Sequence, residues 1–296
     1  MGPRALFSFA TAVILSISSQ AFGETLIERG SYLVNVVMAC GNCHSPRTPE
    51  GKLIEEKALS GGLHFTTPAF DAKARNITPD VETGIGSWSD DEIKKALTEG
   101  NRPNHGHLAG SPLAAVMPAN FYKALLPHDL DAVVAYLRSV KPIKNEVPDP
   151  VYKAPVKREP YPDAEKGFSG ADISDPITHG KYLVTIAHCM ECHSSWSRGV
   201  SNFEAGLGAG GRPFSPAVVH GFDPNWKQSV AANITSDPEK GIGSWKDDEI
   251  KRAITQGISR DGHQLKPPMA VYAYAHLTPQ DLNHIVAYLR TVPPRQ

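Results

Sequence analysis

The sequence lacks an excess of charge of either sign: 30 Lys and Arg stand against 31 Asp and Glu, for a net charge of −1. A nucleic-acid binder would show a basic excess or stripe, so that class is set aside. No stretch after residue 23 is apolar enough to span a bilayer, which excludes a multispan membrane protein. Charged residues make up 21% of the chain and hydrophobic ones 41%. That balance excludes a collagen-like or low-complexity chain. Cysteine is scarce, at four residues, whereas proline and glycine are plentiful at 25 each. Their abundance points to a loop-rich fold with short helices. The length of 296 residues suits two domains of about 120 residues each.

Arg4, the 13-residue apolar run 5–17 and the small residues Ala21 and Gly23 read as a secretory signal peptide over residues 1–23. Thirteen residues are too few for a hydrocarbon core that needs about 20. The mature chain is therefore expected to be exported, with a charge of −2 once Arg4 is removed, leaving 29 basic and 31 acidic residues. The expected location is the periplasm.

The chain repeats itself once. Gly30-Ser-Tyr-Leu-Val returns as Gly180-Lys-Tyr-Leu-Val, and Cys40-Gly-Asn-Cys-His44 as Cys189-Met-Glu-Cys-His193. Gly61-Gly-Leu-His-Phe65 matches Gly210-Gly-Arg-Pro-Phe214. Asn76-Ile-Thr and Gly84-Ile-Gly-Ser-Trp88 return as Asn233-Ile-Thr and Gly241-Ile-Gly-Ser-Trp245, and Ala135-Tyr-Leu-Arg138 as Ala287-Tyr-Leu-Arg290. The offset grows from 149 to 157 between Phe214 and Asn233, so the second copy carries eight extra residues there. These limits give one unit over residues 24–141, a Pro-rich linker over 142–172 and a second unit over 173–296. The stretch Lys141 to Pro162 holds six prolines and little apolar periodicity. It is expected to run extended over the surface as a semi-rigid connector outside any core.

Each copy reads as three helices between long loops. The first spans about Leu26–Cys43 and its counterpart about Thr178–Cys192. In the second, Ser89 and Glu92 form a capping box, Ile93, Ala96 and Leu97 an apolar stripe, and Gly100 a stop. Its counterpart runs from Asp247 to Gly257. The third spans about Asp129–Val140 and Thr278–Val292, with Thr278 as N-cap and Pro279 at the first helical position. No segment shows strand alternation, so the expected class is all-α.

All four cysteines lie in the two Cys-x-x-Cys-His pentads, the signature of c-type haem attachment. The spacing lets Cys40 with Cys43, and Cys189 with Cys192, reach the two vinyl groups of one porphyrin as thioethers. The adjacent histidine, His44 or His193, then projects toward the iron. A zinc site would want a separated His pair. A thioredoxin-like redox pair would want a βαβ context. Disulfides suit an exported protein but leave the two histidines unexplained.

Elimination points to the second axial ligand. Met1 is the initiator, and Met38 and Met190 lie inside the attachment helices. Met117 and Met269 remain, at equivalent positions beside prolines that stiffen their loops. A methionine is usually a core gap-filler, but the paired positions favour ligation. His105, His107 and His263 are the rivals. His/Met coordination is what electron-transfer cytochromes use, and its thioether favours Fe(II).

With these motifs the sequence resembles the class I di-haem c-type cytochromes, in particular the cytochrome c subunits of periplasmic alcohol, aldehyde, gluconate and nicotinate dehydrogenases. The resemblance covers nearly all of residues 26–292. It implies two haem c groups and axial pairs His44/Met117 and His193/Met269. It also implies that Gly30 meets Tyr136, and Gly180 meets Tyr288, where the first and third helices cross. The implied role is electron transfer without catalysis, from a dehydrogenase donor to an oxidase or cytochrome acceptor of the respiratory chain. A di-haem peroxidase or thiosulfate-oxidising enzyme with one open iron is the alternative, although no cysteine is spare as an extra ligand. Many relatives carry three haems and a C-terminal membrane-binding segment, whereas this sequence has two pentads and ends at Gln296. Peripheral membrane association through a partner stays open. His44-Ser-Pro46 becomes His193-Ser-Ser in the second copy, so the groups orienting the two imidazoles are expected to differ. Asn76 and Asn233 match a glycosylation sequon, but their repetition favours a structural or haem-edge role. Trp88 and Trp245 read either as haem-facing or as core residues. The extra loop Ser215–Ala232, with Trp226, reads as a docking surface or a plain insertion.

Overall fold

The computed structural model describes Gly2, residues 23–197 and residues 199–296. The signal-peptide reading otherwise lies outside the described residues. The first repeat opens with α1 (Leu26–Tyr32), capped by a Thr25/Glu28 capping box. It runs straight into a π-helical turn, Leu33–Val37, before α2 (Gly41–His44). The expected single helix to Cys43 is therefore broken. Gly30 and Cys40 are ten residues apart, whereas Gly180 and Cys189 are nine apart. A π turn is the usual way for a helix to absorb one extra residue.

Strands β1 (His64–Thr66) and β2 (Phe70–Lys73) follow, then α3 (Asp90–Glu99), α4 (Ala119–Tyr122) and α5 (Pro127–Ser139). Next come β3 (Val151–Tyr152) and α6 (Pro162–Lys166). The second repeat opens with α7 (Pro176–Ile186) and α8 (Cys189–His193). The short strands β4 (Ser195–Ser197), β5 (Val200–Asn202), β6 (Pro213–Phe214), β7 (Val219–His220) and β8 (Ser229–Val230) come next. It closes with α9 (Asp247–Gln256), α10 (Val271–Tyr274) and α11 (Pro279–Leu289).

The helix starts and stops follow local chemistry. Ser89 and Glu92 make the capping box of α3, and Gly100 ends it at φ 73°. Gly257 ends α9 at φ 66°. Both glycines occupy the left-handed region that helix C-caps favour. Thr278 caps α11 by accepting from the backbone N–H of Asp281.

Helix pairs α1/α5 and α7/α11 form the centre of each repeat. A Cβ on Gly30 would sit 1.9 Å from the carbonyl oxygen of Ala132 and 2.7 Å from Cβ of Tyr136. One on Gly180 would sit 1.8 Å from the carbonyl of His284 and 3.0 Å from Cβ of Tyr288. The implied glycine–tyrosine crossings are thus present in both copies. Arg138 and Arg290 explain the repeated Ala-Tyr-Leu-Arg. Each guanidinium donates to carbonyls of the Gly-Ile-Gly-Ser-Trp loop, Ile85 and Trp88 or Ile242 and Trp245, and pairs with Asp90 or Asp247.

Two expectations need correction. The class is not purely α. Strands β3-β2-β1-β7 form one antiparallel sheet, and two further pairs, β4-β5 and β6-β8, stand apart. Each strand has only two to four residues, too short to register as alternation. β1 pairs with β7 across the repeats, His64 opposite His220 and Phe65 opposite Val219. The connector is not a bare spacer either. Val151 and Tyr152 pair with Asp71 and Phe70, and Val147 is buried. Tyr161 is 1% exposed. Its ring stacks on Phe121 of the first repeat at 4.5 Å and meets Phe203 of the second edge-on at 5.3 Å. One hydrophobic cluster accordingly includes Leu33, Val133, Tyr161, Leu183 and Val286. The prolines argue for an exposed connector, but its aromatic residue is drawn into the core by the area it buries.

The extra loop of the second repeat also ties the two copies together. It supplies β7, and Trp226 is buried in a second cluster with Leu63, Phe65, Phe70, Phe214 and Val219. The described part of that loop is therefore a clamp between repeats.

Candidate functional site

The residue before each first cysteine takes the same unusual backbone state. Ala39 has φ 48° and His188 φ 44°. A left-handed conformation in a non-glycine residue carries a cost and marks a place where the surroundings dictate the chain path. Here it ends the long helix and restarts the chain as α2 or α8, which carry the two pentads. All four cysteines are free thiols. Burial pushes each of them up to about 12.

The two histidines are oriented alike. His44 Nδ1 donates to the carbonyl of Arg75 at 2.7 Å, and His193 Nδ1 to that of Ala232 at 2.8 Å. A carbonyl can only accept, so the proton is on Nδ1 and the Nε2 lone pair is free. Burial lowers the pKa of both imidazoles, outweighing the carbonyl bonds, and keeps them neutral. This is the arrangement of a metal-ligating histidine with its outer partner in place. Arg75 and Ala232 directly precede the two Asn-Ile-Thr segments, so the acceptor is equivalent in the copies even though Pro46 of the first copy becomes Ser195 in the second.

The Asn-Ile-Thr segments hold those carbonyls in place. The Asn76 side chain accepts from the Thr78 N–H and hydroxyl and donates to the carbonyl of Ile143. Asn233 does the same with Thr235 and the carbonyl of Arg295. Asn76 is buried, which suits a structural role rather than glycosylation. Trp88 and Trp245 pack against the main core, as the core reading expects.

Met117 and Met269 are half-buried at the heads of α4 and α10. Met117 packs against the same cluster as Cys40 and Cys189, while its neighbour Val116 joins Cys43 and Cys192 at the second cluster. Pro268, next to Met269, accepts from the Asn42 side chain at 2.9 Å. Met38 and Met190 are buried in the core, at 1% and 0% exposure. The rival histidines are engaged at the surface: His105 with Glu92, His107 with Asp149 and His263 with Asp261.

The two attachment segments meet the opposite repeat, which sequence reasoning missed. Ala39 packs with Ala270 and Ala273, while His188 meets the rings of Phe121 and Tyr122 edge-on. Tyr122 is buried beside Cys40 and Cys43, and Tyr274 beside Cys189 and Cys192; burial first, then these neighbours, push both phenols well up. Two crossed hydrogen bonds close the seam. Tyr32 donates to Asp281 Oδ2 and Tyr182 to Asp129 Oδ2, each at 2.5 Å. Their only sequence signal is that both tyrosines and both aspartates recur in the repeat.

Residues 177–293 match the cytochrome c family model. They are a cytochrome c domain. Similarity extends over the rest of the chain. The cytochrome c subunit of a quinone alcohol dehydrogenase from Gluconacetobacter polyoxogenes is 28% identical, over 98% of this chain and 62% of its own length. The fructose dehydrogenase cytochrome subunit of Gluconobacter japonicus is 29% identical, over 91% of this chain and 53% of its own. A di-haem c-type cytochrome from Cereibacter sphaeroides is 26% identical, over 86% of this chain and 82% of its own. The chain thus spans about three-fifths or less of the dehydrogenase subunits it resembles. A cytochrome c domain implies haem c. The local chemistry fits it: half-buried thiols with two residues between them, followed by a histidine whose Nε2 is left for a metal. Among the described residues no helix is long and apolar enough to cross a membrane.

Proposed function

We propose that this chain is a periplasmic two-haem electron carrier, taking electrons from a dehydrogenase partner and passing them toward the respiratory chain. Each repeat, 24–141 and 173–296, is one haem-carrying unit. Cys40 with Cys43, and Cys189 with Cys192, hold the two groups as thioethers. His44 with Met117, and His193 with Met269, would hold the two irons. The observation that carries this reading is the matched pair of Nδ1 bonds, His44 to Arg75 and His193 to Ala232, which aim a free Nε2 in both copies.

Bound haem supplies a one-electron Fe(III)/Fe(II) couple. The protein's part is to keep that couple closed to other chemistry. The carbonyl bonds fix each imidazole in one tautomer and limit its rotation. The prolines beside Met117 and Met269 restrict the loops that carry these side chains, which would keep each thioether near the iron. Electron transfer then needs little rearrangement. Export rests on the apolar run after Arg4, and the donor on the names of the relatives.

The test is the absorption spectrum of the purified protein, oxidised and reduced, with and without carbon monoxide. Two haems per chain, a methionine–iron charge-transfer band and no response to carbon monoxide are expected. Carbon monoxide binding at one haem in the unmodified protein would overturn the closed-carrier reading and direct work to peroxidase assays.

A further inference from the structure

The seam between the repeats holds two equivalent buried carboxylates with different company. In the first repeat Asp129 receives Arg29 through two bonds, Nε to Oδ1 at 2.8 Å and Nη2 to Oδ2 at 2.9 Å, plus the Tyr182 hydroxyl. Asp281 occupies the matching place in the second repeat, is 7% exposed, and receives the Tyr32 hydroxyl at the same distance. Arg29, however, is replaced by His179, and Ala132 by His284. A buried carboxylate is stable when a cation pairs with it. Asp129 has its cation built in. Asp281 has two imidazoles, with His179 Nδ1 3.9 Å from Asp281 Oδ1 and 2.8 Å from His284 Nδ1.

We propose that His179, His284 and Asp281 bind one divalent transition-metal ion of the zinc class, which takes the place that the Arg29 guanidinium fills in the first repeat. Their ligand atoms all lie within 4.8 Å of one another. A tetrahedral ion with bonds of about 2.0–2.2 Å places neighbouring ligands roughly 3.4 Å apart. The observed 2.8 and 3.9 Å lie on either side of that spacing and the third pair lies within 4.8 Å, so closing on an ion requires shifts of about 0.5 to 1.4 Å. Two imidazoles and one carboxylate leave a fourth position for water, and imidazole nitrogen suits zinc, nickel or copper better than calcium or magnesium. Tyr32 is the outer partner that orients the ligating carboxylate. His179 is 16% exposed and Asp281 10% at the side chain, so an ion can enter from the edge of the seam. The nearby Arg29–Asp129 pair presents charges of both signs to His179. Tyr32 comes from the first repeat and the three ligands from the second, so the ion would lie at the seam between them.

The test uses the haem-loaded protein after chelator treatment, which leaves thioether-bound haem in place. Zinc is added in a calorimeter, with a thermal melt alongside. One zinc per chain at micromolar affinity and a melting point several degrees higher are expected. His179→Arg copies the arrangement of the first repeat, so it should fold with an unchanged haem spectrum and bind no zinc. His284→Ala should lose at least tenfold in affinity, whereas His276→Ala at an exposed site should lose none. Binding only at millimolar zinc, or micromolar binding that survives both His179→Arg and His284→Ala, overturns the proposal.

Discussion

The first and second repeats solve the same problem at their shared seam in different ways. Each buries an aspartate at the head of its third helix and gives it a tyrosine from the other copy. The first neutralises that aspartate with a permanent cation, Arg29; the second sets two histidines around it. Around the pentads there is no such divergence. The two histidines use equivalent backbone carbonyls, those of Arg75 and Ala232, and each pentad follows a residue in the left-handed conformation. The setting of the two pentads is held alike, and features that join the copies have drifted apart. The eight-residue insertion follows that rule, because its β7 and Trp226 pack across the seam.

The largest effect should come where the copies are most alike. Gly30→Ala and Gly180→Ala each drive a methyl to within 1.9 Å of a backbone carbonyl. Relief requires separating two packed helices, so each substitution should cost above about 5 kcal/mol, the exceptional end for one residue. With the core continuous through both copies, the chain is expected to unfold in one transition by circular dichroism, and either change should abolish it. Survival of one haem unit with a normal melt would show instead that the repeats fold separately.

Much of this frame was legible because it is written locally. The pentads, the Ser89/Glu92 box and the stops at Gly100 and Gly257 all depend on residues close in sequence or repeated at a fixed offset, whereas the Gly30 and Gly180 crossings follow from the resemblance to di-haem cytochromes. The strands were not legible: two to four residues cannot show alternation, and β1 finds β7 more than 150 residues away. Tyr161 lay hidden among prolines that argued for exposure. The Tyr32–Asp281 and Tyr182–Asp129 bonds could have been suspected only by asking why those polar residues recur. The π turn had a visible cause in the extra residue between Gly30 and Cys40, but its form depends on how the helix is held at both ends.

A second experiment breaks the comparison at the seam. Asp129→Ala strands the largely buried Arg29 without a counter-charge, and breaking such a pair costs about 3–5 kcal/mol. Asp281→Ala, in metal-free protein, strands a tyrosine hydroxyl and two imidazoles, at about 1–3 kcal/mol. Denaturant midpoints of the two variants, each with its haem intact, should differ accordingly. Equal losses would mean that His179 carries a full positive charge and acts as a second Arg29.

The smallest effect concerns acid. Burial alone would raise the pKa of Asp129, but the hydrogen bonds and charge of Arg29, with the Tyr182 hydroxyl, outweigh it and hold the carboxyl below its ordinary value. A carboxyl lowered in the folded state contributes stability that is complete above its unfolded pKa, near 3.9, and fades as pH falls through the folded value. The stability difference between the unmodified protein and Asp129→Asn should therefore be constant from neutral pH down to about 5. It should narrow only below the ordinary carboxylate range. Because both proteins carry the same histidines and pentads, the acid response of those groups cancels in the difference. A gap that instead begins to close near pH 6 would place its origin in a histidine, and the contrast between an arginine-held and a histidine-held seam would have to be redrawn around His179.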